Sequence, residues 1–227
     1  MVRRGDAQTL SADAYDQLRA DLLDGIWSPG QRLVPAELSE RYGVGAGVVR
    51  EALGRLASEQ LATFEPNRGF RVVDAGRQRI EDLLELRRIN EGAALRLAVA
   101  RADADYEARA LAAHHRMRAA TDDDAERRRT HRDFHLALLS GCGNERLLAL
   151  CEELFEASEL YRRWSNLALA RPARSAGRVS GNEHRAILDA VLARDADEAV
   201  RLHEQHLRRT VDLALAYAAS LEESSTA

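Results

Sequence analysis

Two histidines stand one helical turn apart in the stretch THRDFHLALLSGCGN, which spans residues 130–144. Side chains four residues apart share one face of an α-helix, so His131 and His135 could bind one metal ion together. They could also be two polar residues on an ordinary half-buried face. The spacing of this pair leaves both interpretations open, and the rest of the chain has to decide between them.

Composition indicates a globular protein and excludes several classes of site. Of the 227 residues, 45% are hydrophobic and 31% charged, and all 33 basic residues are arginine, which rules out lysine chemistry. No apolar run approaches the ~18 residues of a membrane span, and MVRRGDAQTL lacks the apolar core of a signal peptide. We therefore expect a cytoplasmic protein with no membrane partner. Cys142 and Cys151 form no CxxC pair and are expected to be buried thiols without a disulfide.

Residues 1–74 carry the pattern of a winged helix-turn-helix domain. Ser11 is a good N-cap for a first helix, SADAYDQLRADLLDGI, and Pro35 and Gly43 bracket a short second helix, VPAELSERYGV. A third helix, GAGVVREALGRLASEQ, precedes two β-type runs, LATFE and FRVV, joined by PNRG. A small helical lid or an unrelated hairpin domain is the alternative. The order of the elements favours the winged domain.

The rest of the chain shows helical patterns and no convincing strands. After a linker at 75–78, residues 79–220 are predicted to form an antiparallel all-helical bundle, followed by a disordered tail at 221–227. Loops such as RPARSAG separate the helices. The fold class is thus mostly α. Its predicted helices run over 77–101, 104–120, 122–141, 144–169, 180–193 and 195–220.

Several motifs in the correct order carry a family likeness. PGQRL, ELSERYGV, VREALGRL and NRGF resemble the DNA-binding domain of GntR-type bacterial transcription regulators. ELRRINEGAALRLA, FHLALLSGCGNERLL and EHRAILDAVLARDADEAVRLHEQHL resemble the FCD-type ligand-binding domain of the FadR subfamily. The likeness covers residues 11–215. It implies a ligand-responsive regulator of a kind that most often represses, and a homodimer that binds a double-stranded DNA operator.

The resemblance implies that the third helix reads the major groove. The family usually has Ser-Arg-Thr where this chain has Gly45, Ala46 and Gly47, so a common guanine-reading arginine is missing at Ala46. The amides of the two glycines are expected to approach a phosphate. Arg50 matches a family arginine and is expected to contact a base or a phosphate. An ion pair with Glu37 is the alternative for Arg50.

The turn between the two β-type runs is the predicted tip of the wing. Arg68 and Gly69 lie there and are expected to contact phosphate or the minor groove. For Arg55, a role inside the domain is favoured over DNA contact.

In the second domain the resemblance implies a metal site. Its family ligands are an aspartate and a histidine four residues apart, with two histidines on later helices. His135, His184 and His206 match the three histidines, and His131 stands in the place of the aspartate. Four neutral imidazoles favour Zn²⁺, with Ni²⁺ as the next choice, over Mg²⁺ or Mn²⁺. The alternative is that all four are polar residues on half-buried faces.

The likeness also implies an anionic effector. Arg87 or Arg88, in ELRRINE, is the expected partner of a carboxylate on a small organic acid, because the guanidinium fork grips carboxylates with two bonds. A surface ion pair with Glu91 is equally compatible with Arg87. Asn144 fits a helix N-cap. The remaining histidines, His114, His115 and His203, do not match the motif and are predicted to lie on the surface.

Three rival functions remain open from the sequence. One is a metal-free regulator that senses a larger or acyl-type ligand, with the histidines as bundle filler. Another is a metal sensor in which the metal itself is the signal. The third is a helical metalloenzyme, which is disfavoured because no HExxH motif accompanies the histidines. We therefore predict a protein that is not an enzyme.

Overall fold

The computed structural model of the chain describes residues 4–121, 123–170 and 177–225. The chain divides into two compact units, the first ending at Gly76 and the second beginning at Arg77. None of the helices in these ranges combines the length and the apolar character that a membrane span requires. The first unit is a small helical domain with a three-stranded sheet. The second unit contains helices and connecting turns, and no strand, among its described residues.

The first unit has the element order of a winged helix-turn-helix. The sheet is antiparallel in the order β1-β3-β2, with Leu33 opposite Phe70 and Phe64 opposite Phe70. The strand β1 was not predicted, because two residues are too short to show an alternating pattern. The elements in chain order are α1 (Arg4–Leu23), β1 (Arg32–Leu33), α2 (Pro35–Tyr42), α3 (Ala46–Ser58), β2 (Ala62–Glu65) and β3 (Gly69–Val72).

Local sequence explains the turn between α2 and α3. Pro35 occupies the first turn of α2, where its missing N–H costs nothing. Gly43 ends α2 with φ at 64°, in the left-handed region that glycine adopts without a steric penalty. Val49 and Leu53 then face the core from α3 and are 1% and 0% exposed. This packing leaves the opposite face of α3 on the surface.

The first helix begins earlier than predicted. Ser11 lies inside α1, which starts at Arg4, so Ser11 is not its N-cap. No helix-breaking residue stands between Asp6 and Ser11, and the backbone hydrogen bonds therefore continue through the expected start. Tyr15, Leu18 and Leu22 are buried, as their helical spacing predicts.

The second unit is a bundle of antiparallel helices. The longest helix, α10, packs against α4, α8 and α9, and α5 packs against α6. Its core includes Leu95, Tyr106, Phe134, Leu138 and Ile187. The helices are α4 (Arg77–Ala100), α5 (Ala104–Ala119), α6 (Asp124–Leu139), α7 (Glu145–Ala157), α8 (Glu159–Ala170), α9 (Gly177–Leu192) and α10 (Ala196–Ser225), with a 3₁₀ turn at Ser140–Cys142.

The structure differs from the predicted helix boundaries at three places: at Ser158, at the end of α10 and at the start of α4. The single helix expected over 144–169 is broken at Ser158, whose hydroxyl donates to the Phe155 carbonyl and accepts from Arg87. The helix α10 continues to Ser225, through most of the predicted disordered tail 221–227. The helix α4 starts at Arg77, inside the predicted linker 75–78. Most of the predicted RPARSAG loop, 171–176, and the last two residues of the chain lie outside the described residues.

Candidate metal and effector site

Three helices of the bundle bring four histidines together. His131 and His135 come from α6, His184 from α9 and His206 from α10, and one ring nitrogen of each lies within 4.8 Å of the others. The Nε2 atom of His135 is 3.2 Å from Nε2 of His131 and 3.2 Å from Nε2 of His184. His135, His184 and His206 are buried, while His131 is half-buried. The pair found in the sequence is thus one side of a larger cluster.

The geometry of this cluster fits a bound cation. His135 Nε2 can donate a single proton, so it can donate a hydrogen bond to only one of the two neighbouring histidine nitrogens. A cation, in contrast, can accept one nitrogen lone pair from each of the four histidines. Nitrogens bound to tetrahedral Zn²⁺ at ~2.0–2.1 Å lie about 3.3 Å apart, close to the observed spacing. Burial lowers the pKa of His135 well below its ordinary value, and the neighbouring histidines lower it further. A neutral imidazole is the form that binds a metal.

The outer nitrogens of the cluster differ from one another. His206 Nδ1 donates to Glu183 Oε2 at 3.0 Å, which turns Nε2 toward the other histidines. Burial lowers the pKa of His206, although the Glu183 hydrogen bond opposes this. The Nδ1 atoms of His131 and His135 are buried and find no hydrogen-bond partner among the described residues. Glu183 therefore orients the His206 ring, whereas no carboxylate among the described residues does the same for His131 or His135.

The prediction that His203 lies on the surface was wrong. His203 is 1% exposed, and its Nε2 donates to Glu91 Oε2 at 2.7 Å. Glu91 also accepts from Arg87 Nε at 2.5 Å, and Arg87 Nη1 donates to the Ser158 hydroxyl at 2.8 Å. Burial alone would raise the pKa of Glu91, but Arg87 and His203 outweigh it and lower the pKa below its ordinary value. The apolar residues Ala199, Val200 and Leu207 lie at helical spacing from His203. This spacing is the signal in the sequence that indicates a buried position for His203.

Neither arginine expected to bind an effector lines the pocket beside the histidines. Arg87 does form the ion pair with Glu91 that was the alternative, but the pair is buried, with side-chain exposures of 9% and 1%. Arg88 is half exposed and pairs with Glu204. The i, i+4 spacing predicted the Arg87–Glu91 contact correctly. The burial of the pair depends on α4 packing against α10, which spacing does not show.

A pocket of about 360 Å³ opens beside the histidine cluster. His131, His184 and His206 form part of its wall, and α5, α6, α8, α9 and α10 supply the remainder. The positive charge of Arg162 is, after burial, the largest cause that lowers the pKa of His131. The arginines that line the pocket are Arg118, Arg127, Arg128, Arg162, Arg163 and Arg209, and its acids are Asp124 and Glu183.

Five other residues with a predicted position can be placed in the bundle. His115 is exposed as expected, whereas His114 is half-buried, with its ring centroid 5.4 Å from that of Phe134. Asn144 caps α7 as predicted, since its side chain accepts a bond from the Leu147 amide. Cys142 and Cys151 are buried free thiols.

The residues predicted to contact DNA are accessible on the first unit. Gly45, Ala46, Gly47 and Arg50 are exposed at the start of α3. A Cβ atom at Gly45 or Gly47 would meet no atom within 4 Å, so internal packing does not require a glycine at either position. The alternative ion pair of Arg50 with Glu37 does not form among the described residues. This exposed end of α3 is compatible with close approach of a nucleic-acid backbone.

The wing and Arg55 have separate roles in the unit. Arg68 is exposed at the β2–β3 turn and pairs loosely with Glu65 at 3.3 Å, and the adjacent Gly69 has φ at 79°. Arg55 lies over the ring of Tyr15, 3.7 Å from its centroid, which fits its predicted role inside the domain.

Comparison with known proteins assigns both units. Residues 10–72 match the bacterial regulatory proteins of the gntR family, and residues 82–209 match the FCD domain. The chain is 33% identical to the HTH-type transcriptional repressor GlaR of Escherichia coli K12 over 205 residues, covering 87% of this chain and 92% of that protein. It is also 33% identical to the regulator BphR of Paraburkholderia xenovorans LB400 over 217 residues, covering 92% and 86%.

Solved structures show the same architecture. A GntR transcriptional regulator of Rhodococcus sp. RHA1 aligns with a TM-score of 0.68 at 25% identity, over 91% of this chain and 97% of that one. The McbR protein of E. coli shares the fold, with a TM-score of 0.68 at 22% identity, over 94% and 98%. These relatives are DNA-binding regulators rather than enzymes, and the two-domain arrangement fits the predicted FadR subfamily. The chain therefore belongs to the GntR family of bacterial transcription regulators, with an N-terminal winged helix-turn-helix domain followed by a helical FCD domain.

Proposed function

We propose that this regulator responds to a small organic acid through a divalent metal ion held in its helical unit. The convergence of four histidine nitrogens within 4.8 Å at the wall of an arginine-lined pocket carries the proposal. Four side chains on three helices each direct one nitrogen to a common point. Polar residues placed by chance on half-buried faces would not converge in this way.

The proposed ligands of the metal are His131, His135, His184 and His206. Zn²⁺ is the favoured ion and Ni²⁺ the second, because borderline metals prefer imidazole whereas Mg²⁺ and Mn²⁺ prefer carboxylate oxygen. When bound, the ion supplies a positive centre that attracts an anionic group. The lowered pKa values of His131, His135 and His206 keep these imidazoles neutral at the pH of a cell.

The proposed effector site is the pocket beside this centre. Arg162, whose guanidinium acts on His131, replaces Arg87 and Arg88 as the arginine for the effector carboxylate. The volume of about 360 Å³ lies near the lower end of the ~300–1,000 Å³ of ligand pockets and favours a small acid over a long acyl chain.

The proposed partner of the first unit is a double-stranded DNA operator in the cytoplasm. Gly45, Ala46, Gly47 and Arg50 would meet the major groove or a phosphate, and Arg68 with Gly69 would meet the backbone at the wing. A homodimer would present two such units to a palindromic site. The relative named as a transcriptional repressor supports repression. In this proposal the effector releases the regulator from its operator.

Coupling between the two sites is proposed to run through the bundle. The pocket is lined from α6, α8 and α10, and α10 packs against α4, the helix that follows the winged unit in the chain. An effector that favours one packing of these helices would change operator occupancy about 5- to 150-fold, for a coupling energy of ~1–3 kcal/mol.

The first test measures metal content in the full-length protein. We expect one Zn²⁺ or Ni²⁺ per chain by elemental analysis, and its loss in a His135→Ala, His184→Ala double variant. His115→Ala, an exposed histidine outside the cluster, is the matched control and should keep the metal. A wild-type chain that stays metal-free after incubation with both ions would exclude the site.

The second test follows DNA binding to the fragment upstream of the regulator's own gene. Carboxylic acids should release the metal-loaded protein from this DNA, while removing the metal in the absence of any acid should leave binding intact. If metal removal alone abolishes binding, the protein is a metal sensor. If acids act equally on the metal-free protein, the metal has no part in the response.

A further inference from the structure

A buried hydrogen-bond network lies against one of the proposed metal ligands. The ring centroid of His135 is 5.7 Å from that of His203 and 5.7 Å from that of Phe155. His203 is bonded to Glu91, and the Arg87 guanidinium lies over the Phe155 ring, 5.1 Å from its centroid. The Arg87–Glu91 pair therefore reaches His135 by two routes, one through His203 and one through Phe155.

Two ring nitrogens of this region lack a hydrogen-bond partner. Nδ1 of His135 and Nδ1 of His203 are both buried, and neither is bonded to another atom among the described residues. Buried polar atoms in folded proteins are nearly always paired. Two orphaned nitrogens on neighbouring rings are therefore expected to have one common explanation.

The chemistry of the two nitrogens is complementary. Burial raises the pKa of Glu91, but Arg87 and His203 outweigh it, so Glu91 is an ionised acceptor and His203 Nε2 carries the ring proton. The neutral His203 ring then has a lone pair at Nδ1. His135 directs Nε2 at the other histidines, so a cation bound there leaves the His135 proton on Nδ1. One Nδ1 atom is thus a donor and the other an acceptor.

We infer that His203 is a positioning residue of the metal site, because its Nδ1 accepts the Nδ1–H of His135 and holds the His135 ring with Nε2 toward the ion. The inference rests on the proposed function, since it requires a metal ion on His135 Nε2. A hydrogen bond of about 2.9 Å between two ring nitrogens places the ring centroids roughly 5 Å apart, so the two rings approach by less than about 1 Å. Through Glu91 the same bond joins the ion to α4.

The first test locates the ring protons by NMR of the full-length, zinc-loaded protein labelled with ¹⁵N-histidine. We expect the proton on Nδ1 of His135 and on Nε2 of His203. We also expect a scalar coupling between the two Nδ1 atoms, which is transmitted across the hydrogen bond. A histidine that only fills space beside His135 would not give this coupling.

The second test reverses the tautomer of His203 without changing the size of its partner. In Glu91→Gln the new side-chain oxygen must face Arg87, which has only donors, so the amide donates to His203 Nε2. The His203 proton then moves to Nδ1 and opposes that of His135. We expect the affinity for Zn²⁺, measured by competition with a chromophoric chelator, to fall about 10- to 100-fold.

Two control variants separate positioning from general destabilisation. Ser158→Ala removes another bond of the same network, from Arg87, and should lower stability to urea without changing the affinity for Zn²⁺. Glu204→Gln makes the same chemical change beside His203 in the sequence, on a carboxylate that pairs with Arg88 instead. It should leave both the affinity and the NMR signals of His203 unchanged.

The outcomes distinguish this inference from the proposed function. A wild-type chain that binds no metal would overturn both. A zinc-loaded chain with a proton on Nδ1 of His203, or without coupling between the two Nδ1 atoms, would overturn the role of His203 and leave the metal site standing. The same conclusion would follow if Glu91→Gln kept wild-type affinity for Zn²⁺, or if Ser158→Ala reduced that affinity equally. The wild-type spectrum decides the question even if Glu91→Gln does not fold.

Discussion

A single residue gives the histidine cluster its character. His131 stands where the family resemblance implies an aspartate, and its ring centroid lies 4.5 Å from that of His135. The cluster consequently offers four imidazole nitrogens and, among the described residues, no carboxylate. Because hard cations prefer anionic oxygen ligands, this one position would decide which metals the proposed site prefers.

Restoring a carboxylate at this position should change metal preference. His131→Asp is expected to raise the affinity for Mn²⁺ relative to Zn²⁺, because an anionic oxygen replaces a neutral nitrogen. Competition titrations with a chromophoric chelator would measure both affinities. His115→Asp adds the same charge at an exposed position and should leave the ratio unchanged. An unaltered ratio in His131→Asp would mean that residue 131 is not a ligand.

At the scale of elements, a buried polar network joins helices that are distant in the sequence. Arg87 and Glu91 on α4 meet His203 on α10 and Ser158 at the break between α7 and α8. Glu91 is 1% exposed, so its charge depends on these partners. These hydrogen bonds link α4 to α10, and each buried polar side chain in the network is paired by another member.

Removing Glu91 alone should destabilise the protein more than removing Arg87 and Glu91 together. Glu91→Leu leaves the Arg87 charge buried without a carboxylate and should lower the free energy of unfolding by about 3–5 kcal/mol. The double variant Arg87→Leu, Glu91→Leu should recover part of that loss, because no unpaired charge remains. Urea unfolding of the wild-type protein, Glu91→Leu and the double variant measures both differences. A double variant less stable than Glu91→Leu would show that the pair stabilises the bundle through more than charge compensation.

At the scale of the whole molecule, the winged unit and the bundle have separate tasks. The exposed start of α3 and the wing carry the residues proposed for DNA contact. The net charge of the chain is −4, so DNA affinity has to come from local arginines rather than from overall attraction. Salt dependence is therefore the sensitive measure of these contacts.

Truncating these arginines should reduce the number of ions released on DNA binding. Arg68→Ala is expected to decrease the slope of log affinity against log salt by roughly 1, as for the loss of one phosphate contact. Arg50→Ala should do the same if it binds phosphate, or alter sequence preference if it reads a base. Fluorescence anisotropy over a salt series measures the slope. Arg201→Ala, on α10 in the bundle, is the control and should leave the slope unaltered.

The bundle also exposes apolar side chains suited to self-association. Leu86 and Ile89 lie three residues apart on α4 and are 48% and 60% exposed. Large exposed apolar residues on one helix face are typical of subunit interfaces. A homodimer that used this face would cover both.

Charges on this face should separate the subunits. The double variant Leu86→Glu, Ile89→Glu is expected to sediment as a monomer and to bind a palindromic operator more weakly. Leu111→Glu, at another exposed apolar position on α5, is the control and should remain dimeric. A dimer that survives the double substitution would place the interface elsewhere.

Local patterns predicted much of the fold and part of the site. Pro35, Gly43 and the buried spacing of Val49 and Leu53 are sufficient to predict the helix-turn-helix, because caps and helix periodicity act within a few residues. The break at Ser158 could not be predicted in this way. The Ser158 hydroxyl there accepts a hydrogen bond from Arg87, a partner 71 residues away that local periodicity does not reveal.

The sequence by itself determined the class of the protein and most of the order of its elements, because these depend on residue types at short, regular spacings. The four histidines of the cluster were implied by the family resemblance, since the spacing of His131 and His135 alone left their role open. Only the tertiary structure decided that the Arg87–Glu91 pair is buried, that Glu91 meets His203, and that Arg162 rather than Arg87 or Arg88 lines the pocket. Burial and electrostatic partners arise where helices distant in the chain pack together. No periodicity within one helix records which residues of another helix it will meet.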